Sequence, residues 1–117
     1  MAGDVLEVHD SEREDCTVCR PVGELDAFTV GGFRDQLTEL RSSPRLVIDL
    51  TDVPFMDSAG LGALIGGIRR VRDAGGVVGV VCNRPAVLRL LHTTGFDRIV
   101  DVSATIDEAL AGLKSTD

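Results

Sequence analysis

Aromatic side chains are scarce in this chain of 117 residues, which has no Trp, no Tyr and only four Phe. Its core must therefore be built mainly from aliphatic side chains. The chain also lacks an apolar run of about 18 residues, the minimum for a membrane-spanning helix, so we expect no membrane segment. Residues 1–4 show neither a basic region nor an apolar stretch, and we expect no signal peptide.

Basic side chains are fewer than acidic ones: the chain has 12 Lys and Arg residues and 19 Asp and Glu residues, which give a formal net charge of −7 at pH 7. The phosphates of a nucleic acid would repel such a surface, so we exclude nucleic-acid binding and expect a protein partner with a basic patch. The cysteines number three, and no export signal is visible. We therefore expect free thiols in a reducing cytoplasm.

Apolar strand candidates alternate with helix candidates, which predicts an α/β fold in one domain, residues 1–117, with its core over about 4–113. The predicted strands are residues 5–8, 16–23, 46–50, 77–81 and 99–100. The first two are expected to form an antiparallel hairpin, with the charged residues 10–15 turning the chain, and the sheet is otherwise parallel. Asp49, inside an apolar strand, is expected to accept hydrogen bonds from the loop at 51–56.

About four helices are predicted from apolar periodicity and capping residues. Their expected N-terminal residues are Thr29, Asp57 or Ser58, Asn83 and Thr105. Phe33, Leu37 and Leu40 form the apolar face of the first helix. The second ends near Arg72 and is closed by the glycines at 75–76, whereas the last opens with a capping-box pattern, Thr-Ile-Asp-Glu.

Ser58 holds the most informative position in the chain. It follows an apolar strand and opens a helix, so its hydroxyl is expected at a helix N-terminus beside the carboxyl end of a strand. Backbone N–H groups are unpaired there and the helix dipole favours negative charge, so a phosphate on this serine would be tolerated. A serine at such a position is also an ordinary N-cap residue, a role for which Asp57 competes.

Residues 57–62, Asp-Ser-Ala-Gly-Leu-Gly behind an aliphatic strand, resemble the STAS domains of bacterial anti-sigma factor antagonists. Further segments similar to that family are Val-Gly-Glu-Leu-Asp at 22–26, Leu-Val-Ile-Asp-Leu at 46–50, Val-Val-Cys-Asn at 80–83 and Thr-Gly-Phe at 94–96. Ala59 departs from the usual Ser or Thr, which leaves Ser58 as the only hydroxyl in the motif. The glycines at 31–32 also depart from the usual Pro or Ala.

The resemblance implies a single STAS-like domain that is not an enzyme and acts as an anti-sigma factor antagonist. Unphosphorylated, it would bind an anti-sigma factor serine kinase and so release a sigma factor. The kinase would bring its own Mg-ATP and phosphorylate Ser58, and a serine phosphatase would reverse the modification, so the antagonist itself holds no cofactor. Asp26 matches a family aspartate in the partner-binding surface, although its position alone indicates only a solvated turn residue.

The serine helix has an apolar stripe and, opposite it, an arc with few side-chain atoms. The stripe, expected to pack on the sheet, is Leu61, Leu64, Ile65, Ile68 and Val71, and the arc is Ala59, Gly62, Ala63, Gly66, Gly67 and Arg70. Glycines inside a helix cost about 1 kcal/mol each relative to Ala. Either a partner that approaches closely or a neighbouring element packed against the arc explains them. The predicted partner-binding surface is Asp26, Asp57, Ser58, Ala59, Gly60, Gly62, Ala63 and Gly66.

Other chemistry is disfavoured by the residues. Cys16 and Cys19 match Cys-x-x-Cys, but side chains three apart on a strand point to opposite faces and no second ligand pair exists, so neither a metal nor a redox site is expected. Ser58 lacks the Gly-x-Ser-x-Gly setting of a hydrolase, and nothing places His9 or His92 beside it. No Gly-x-x-x-x-Gly-Lys loop is present. Two alternatives remain open: a STAS-like scaffold that never carries phosphate, and a nucleotide-binding module in a larger assembly.

Overall fold

A computed structural model describes residues 6–114, which form a five-stranded sheet whose strands lie side by side in chain order. The strands are β1 (Glu7–Arg13), β2 (Cys16–Val22), β3 (Arg45–Asp49), β4 (Val77–Val81) and β5 (Val102–Ser103). The helices are α1 (Val30–Glu39), α2 (Ser58–Asp73), α3 (Pro85–Thr93) and α4 (Ile106–Lys114). β1 is antiparallel to β2, and all other pairs are parallel. The predicted mixed sheet with an N-terminal hairpin and four helices is thus confirmed.

The two faces of the sheet are covered unequally. α1, α2 and α3 each connect one parallel strand to the next, and right-handed crossovers place all three on the same face. Their side chains pack with Leu46 and Ile48 in the larger apolar cluster, whereas Val47 packs with α4 on the other face. Cys16 and Cys19 are likewise divided between the two clusters, as the alternation of a strand requires.

The hairpin turn lies later in the chain than predicted. Residues 10–15 were expected to turn the chain, but β1 continues to Arg13 and pairs that residue with Cys16. The two residues between them, Glu14 and Asp15, have φ values of 51° and 69°, the left-handed conformation that a two-residue hairpin turn needs. Charged residues are accommodated in β1 because it is an edge strand whose side chains are nearly all exposed. Val5, included in the predicted first strand, lies outside the described residues.

The last predicted strand, residues 99–100, is wrong. The chain is still turning there: Phe96–Arg98 forms a 3-10 helix, and the amides of Ile99 and Val100 both donate to the Phe96 carbonyl. β5 instead consists of Val102–Ser103. A short pair of apolar residues cannot be assigned to a strand by periodicity, and here one of the two, Ile99, is exposed.

The capping predictions for the third and fourth helices had different outcomes. Asn83 does not cap α3; its side-chain amide donates to the Ala104 carbonyl. Arg84 occupies the N-cap position, and its side chain makes no capping bond but donates to the Thr51 carbonyl. Of the capping box predicted for α4, the bond from the Glu108 amide to Thr105 Oγ1 is present at 3.2 Å, whereas Glu108 Oε1 accepts from the amide of Ala104, one residue before Thr105.

α2 ends as predicted, and its end also sets the start of β4. The amides of Gly75 and Gly76 donate to the carbonyls of Arg72 and Val71, the hydrogen-bond pattern of a Schellman motif. Gly75 has a φ of 93°, which explains the glycine there. None of the helices within residues 6–114 is both long and apolar enough to cross a membrane.

The buried carboxylate on β3 is also satisfied as predicted. Asp49 is 4% exposed, and its Oδ1 accepts from the amide of Thr51 at 3.0 Å and from its hydroxyl at 2.5 Å. Because a buried carboxylate needs such partners, these bonds hold the chain where it leaves β3 and turns toward α2.

Replacing Ile48 or Leu64 by Ala should cost about 2–5 kcal/mol of unfolding free energy, since both side chains are fully buried between the sheet and α2 and truncation leaves a cavity. Urea denaturation of each variant measures the loss. Leu88→Ala on the exposed side of α3 is the matched control and should change stability by well under half of that. Wild-type stability for both core variants would mean that the assigned face of α2 is wrong.

Candidate functional site: an exposed serine at the start of a helix

Two loops meet beside the N-terminus of α2, at the end of the sheet where β2 and β3 finish. Leu25 forms an isolated parallel bridge with Met56. The Leu25 amide donates to the Phe55 carbonyl at 3.0 Å, and the Asp57 amide donates to the Leu25 carbonyl at 3.1 Å. These bonds fix the loop that leads into α1 against the residues that open α2, so Asp26 and Asp57 are brought to one surface.

Asp57 caps α2. Its extended backbone turns the side chain back, and Oδ1 accepts from the amides of Ala59 at 2.9 Å and Gly60 at 3.1 Å. The competition between Asp57 and Ser58 for the capping role is thereby resolved in favour of the aspartate. It also corrects the expectation of unpaired amides beside the serine, because the carboxylate already occupies two of them.

Ser58 is the first residue of α2, and its side chain is exposed. Within residues 6–114, no group makes a hydrogen bond to its hydroxyl. The histidines are engaged elsewhere: His9 contacts Glu7 on β1 at 3.0 Å, and His92 at the end of α3 contacts Asp97 at 2.9 Å. The Ser58 hydroxyl is therefore open to solvent, and neither histidine is bonded to it as the base of a serine hydrolase would be.

Asp26 organises the neighbouring loop. Its Oδ1 accepts from the amides of Phe28 at 2.9 Å and Thr29 at 3.1 Å. The Thr29 hydroxyl in turn accepts a hydrogen bond from the Asp26 amide and donates one to the Glu24 carbonyl. Thr29 does precede α1 as predicted, but its side chain makes no capping bond to the helix. The half-buried Asp26 thus has a structural role in addition to the surface position predicted for it.

Two residues of the predicted partner-binding surface are buried. A Cβ on Gly60 would lie 2.6 Å from the Leu25 carbonyl oxygen, so this glycine is needed for the close approach of the loop. Ala63 is 3% exposed. Gly67, predicted for the same arc, is buried against Leu37 of α1. The Leu25 loop therefore covers Gly60 and α1 covers Gly67, and these two positions, together with the buried Ala63, are enclosed by the protein itself.

The rest of the predicted surface is accessible. Ser58 and Gly62 are exposed, and Asp26, Asp57, Ala59 and Gly66 are half-buried. A Cβ on Gly62 would meet nothing within 4 Å, and one on Gly66 would contact only the end of the Arg70 side chain. Internal packing therefore does not explain Gly62 or Gly66, and the explanation by a closely approaching partner stays a prediction for these two.

Sequence reasoning missed two exposed aromatic side chains on the loops that meet at this site. Phe28 is 96% exposed and Phe55 is 47% exposed, whereas Phe33 and Phe96 are buried. No signal in the sequence separates the two groups, because Phe96 also lies outside the predicted helices and strands and is nevertheless buried.

The cysteines carry no candidate site. Burial raises the pKa of the Cys19 thiol to about 12, with the neighbouring Asp10 adding to the rise, and burial also raises the pKa values of Cys16 and Cys82. These thiols stay protonated and unreactive at neutral pH. No cluster of three or more His, Cys, Asp or Glu side chains suitable for a metal ion occurs in the described part of the chain.

Comparison with known families identifies the arrangement. The model of the STAS domain family matches residues 8–109. The chain belongs to the STAS domain family. The matched segment extends from β1 to α4 and includes the Leu25–Met56 bridge, Asp57 and Ser58.

Several similar proteins are named anti-sigma factor antagonists. A STAS relative from Paenibacillus polymyxa, an anti-sigma F factor antagonist, is 30% identical over 112 residues, which cover 93% of this chain and 96% of the relative. An anti-sigma-B factor antagonist from Bacillus subtilis (strain 168) is 35% identical over 83 residues, 70% of this chain and 76% of the relative. The crystal structure of an anti-sigma factor antagonist from Mycobacterium paratuberculosis is 30% identical, covers 95% of this chain and 96% of its own, and superposes with a TM-score of 0.88.

The two glycines of the STAS motif should respond oppositely to alanine. Gly62→Ala should stabilise the protein by about 0.5–1 kcal/mol, because the added methyl meets open space and Ala favours the helix. Gly60→Ala should destabilise it by about 1–3 kcal/mol, because the methyl collides with the Leu25 backbone. Urea unfolding of the pair measures both changes. Equal effects at the two positions would contradict the close approach of the loop to α2.

Proposed function

We propose that this STAS protein is an anti-sigma factor antagonist that binds an anti-sigma factor kinase while Ser58 is unphosphorylated and loses that binding once Ser58 is phosphorylated. The single observation that supports it best is the exposed, unpaired Ser58 hydroxyl directly beside the capped helix end. The relatives named as anti-sigma factor antagonists, which match over most of the chain, support the general role. The proposed role is non-enzymatic and cytoplasmic.

The proposed switch works through charge and hydration. Phosphorylation adds about −1.5 to −2 charge units at neutral pH. The amides of Ala59 and Gly60 already donate to Asp57, which holds its carboxylate next to the added charge. The phosphate could bind these amides only by displacing Asp57 and removing the cap of α2. A partner that covers the site must remove water from the phosphate, and the repulsion between neighbouring anions grows as water leaves. Phosphorylation of Ser58 therefore weakens binding of the kinase at this surface.

The fold is expected to survive the modification. The phosphate would be attached to an exposed side chain, and the N-terminal end of a helix dipole favours negative charge. The modification thus changes what the surface can bind while leaving the sheet and helices in place. The kinase supplies Mg-ATP and a serine phosphatase removes the phosphate, so the STAS protein needs no cofactor of its own.

Phosphate mapping tests the assignment of the serine. The purified protein is incubated with the anti-sigma factor kinases of its source organism, one at a time, with Mg-ATP, and the modified residue is located by mass spectrometry. Modification of Ser58 is expected, and it should be lost in Ser58→Ala but not in Ser42→Ala, an exposed serine near the end of α1. Phosphate on another residue, with Ser58 untouched, would contradict the proposal.

Binding of variants tests the switch itself. Ser58→Ala should bind the kinase as tightly as the unphosphorylated protein, whether or not ATP is present. The phosphorylated protein should bind more weakly by about a hundredfold or more, since a poorly placed charge in an interface costs several kcal/mol. Ser58→Asp should lie between them, because a carboxylate carries less charge. Equal affinities for all forms would favour a scaffold that never uses phosphate.

A further inference from the structure

Two of the four phenylalanines in this chain lie outside its core, on the two loops that meet at the start of α2. The chain has four phenylalanines and no Trp or Tyr. Phe33 and Phe96 are buried, whereas Phe28 and Phe55 are exposed on the two loops joined by the Leu25–Met56 bridge. Phe28 and Phe55 therefore contribute little to the stability of the fold, although aromatic side chains are scarce in this chain.

Phe28 and Phe55 are not equivalent. Phe55 is 47% exposed, and part of its ring is covered by its own protein. It lines a shallow groove with Met56, Ala86, Arg89, Leu90 and Thr93. Phe28 is 96% exposed and has almost no intramolecular contact. Such an aromatic ring is the costlier of the two to leave in water and gains the most from burial in a complex.

The backbone that carries Phe28 is nevertheless tightly held. Its amide donates to Asp26 Oδ1 at 2.9 Å, and the next residue, Thr29, is bonded to both Asp26 and Glu24. The turn is fixed in place on both sides, so the ring is presented on an ordered support. Little chain entropy is then lost when a partner buries it, which is the condition for a strong anchor residue.

Building on the proposed function, we propose that Phe28 is the anchor residue of the surface that binds the anti-sigma factor kinase, and that it inserts into an apolar pocket bordered by Arg or Lys side chains. The charge around it argues for that partner. Glu24 and Asp26 lie on the same turn as Phe28, Asp57 caps the adjoining α2, and the whole chain carries a net charge of −7; the basic side chain beside Phe55 is Arg89. A second copy of this chain would bring the same carboxylates face to face in a two-fold interface, whereas a basic partner would pair with them.

Truncation of the ring tests the proposal. Phe28→Ala should weaken binding of the unphosphorylated protein to the anti-sigma factor kinase that phosphorylates it by roughly 10- to 100-fold, measured by calorimetry. Phe28→Leu, which keeps much of the apolar area, should lose less. Ile99→Ala is the matched control: Ile99 is also exposed, at 53%, but lies beside Arg72 and Asp73 at the other end of α2, and its truncation should leave the affinity unchanged. Thermal unfolding should be unaltered in Phe28→Ala, since the ring packs on nothing.

The outcomes separate the two proposals. Wild-type affinity in Phe28→Ala, with wild-type protein still released on phosphorylation, would overturn the anchor role and leave the proposed function intact. Failure of the unmodified protein to bind any anti-sigma factor kinase would overturn both. Light scattering of the wild type and of Phe28→Ala tests whether the ring instead contacts a second copy of this chain. If the substitution converts a dimer to a monomer and leaves the kinase affinity unchanged, the ring is such a contact and the anchor role is wrong.

Discussion

The hydrogen bonds between Leu25 and the residues that open α2 are the interaction on which the candidate site depends. They hold the loop before α1 against Asp57, and only a glycine at position 60 leaves room for the Leu25 carbonyl. Without this link, Asp26, Phe28 and Ser58 would belong to separate loops. With it, a carboxylate, an aromatic ring and a hydroxyl share one surface at the end of the sheet, each on a backbone held by several bonds.

The different roles of Asp57 and Ser58 follow from the geometry at the start of α2. An aspartate satisfies the first amides of α2, so the serine that follows is left without a structural task inside the described fold. A hydroxyl that stabilises nothing can be modified at small cost to the fold. This separation allows a regulatory charge to be added where a partner binds while the protein keeps its architecture, as the proposed function requires.

The parts of the fold that follow from local chemistry could be predicted from the sequence. The alternation of β3 and β4 with amphipathic helices, the Gly75–Gly76 helix end and the capping box at Thr105 all depend on neighbouring residues. The errors concern features set by distant contacts. Gly67 belongs to the predicted open arc but is covered by Leu37 of α1, and Gly60 belongs to the predicted partner-binding surface but is covered by the Leu25 loop. Residues 99–100 resemble a strand in sequence, but their amides bond to the Phe96 carbonyl in a turn. The position of Ser58 at the start of α2 was predictable from its motif, but the exposure of Phe28 depends on a turn that periodicity does not describe.

Phosphate on Ser58 should change the binding surface and leave the fold unchanged. Amide chemical shifts of the isotope-labelled protein, recorded before and after complete phosphorylation of Ser58, test it most directly. The account predicts that shift changes are confined to residues 24–29 and 57–62, while buried strand residues such as Ile48 and Val80 keep their positions. Changes spread through β3 and β4, or a loss of dispersion across the spectrum, would contradict it.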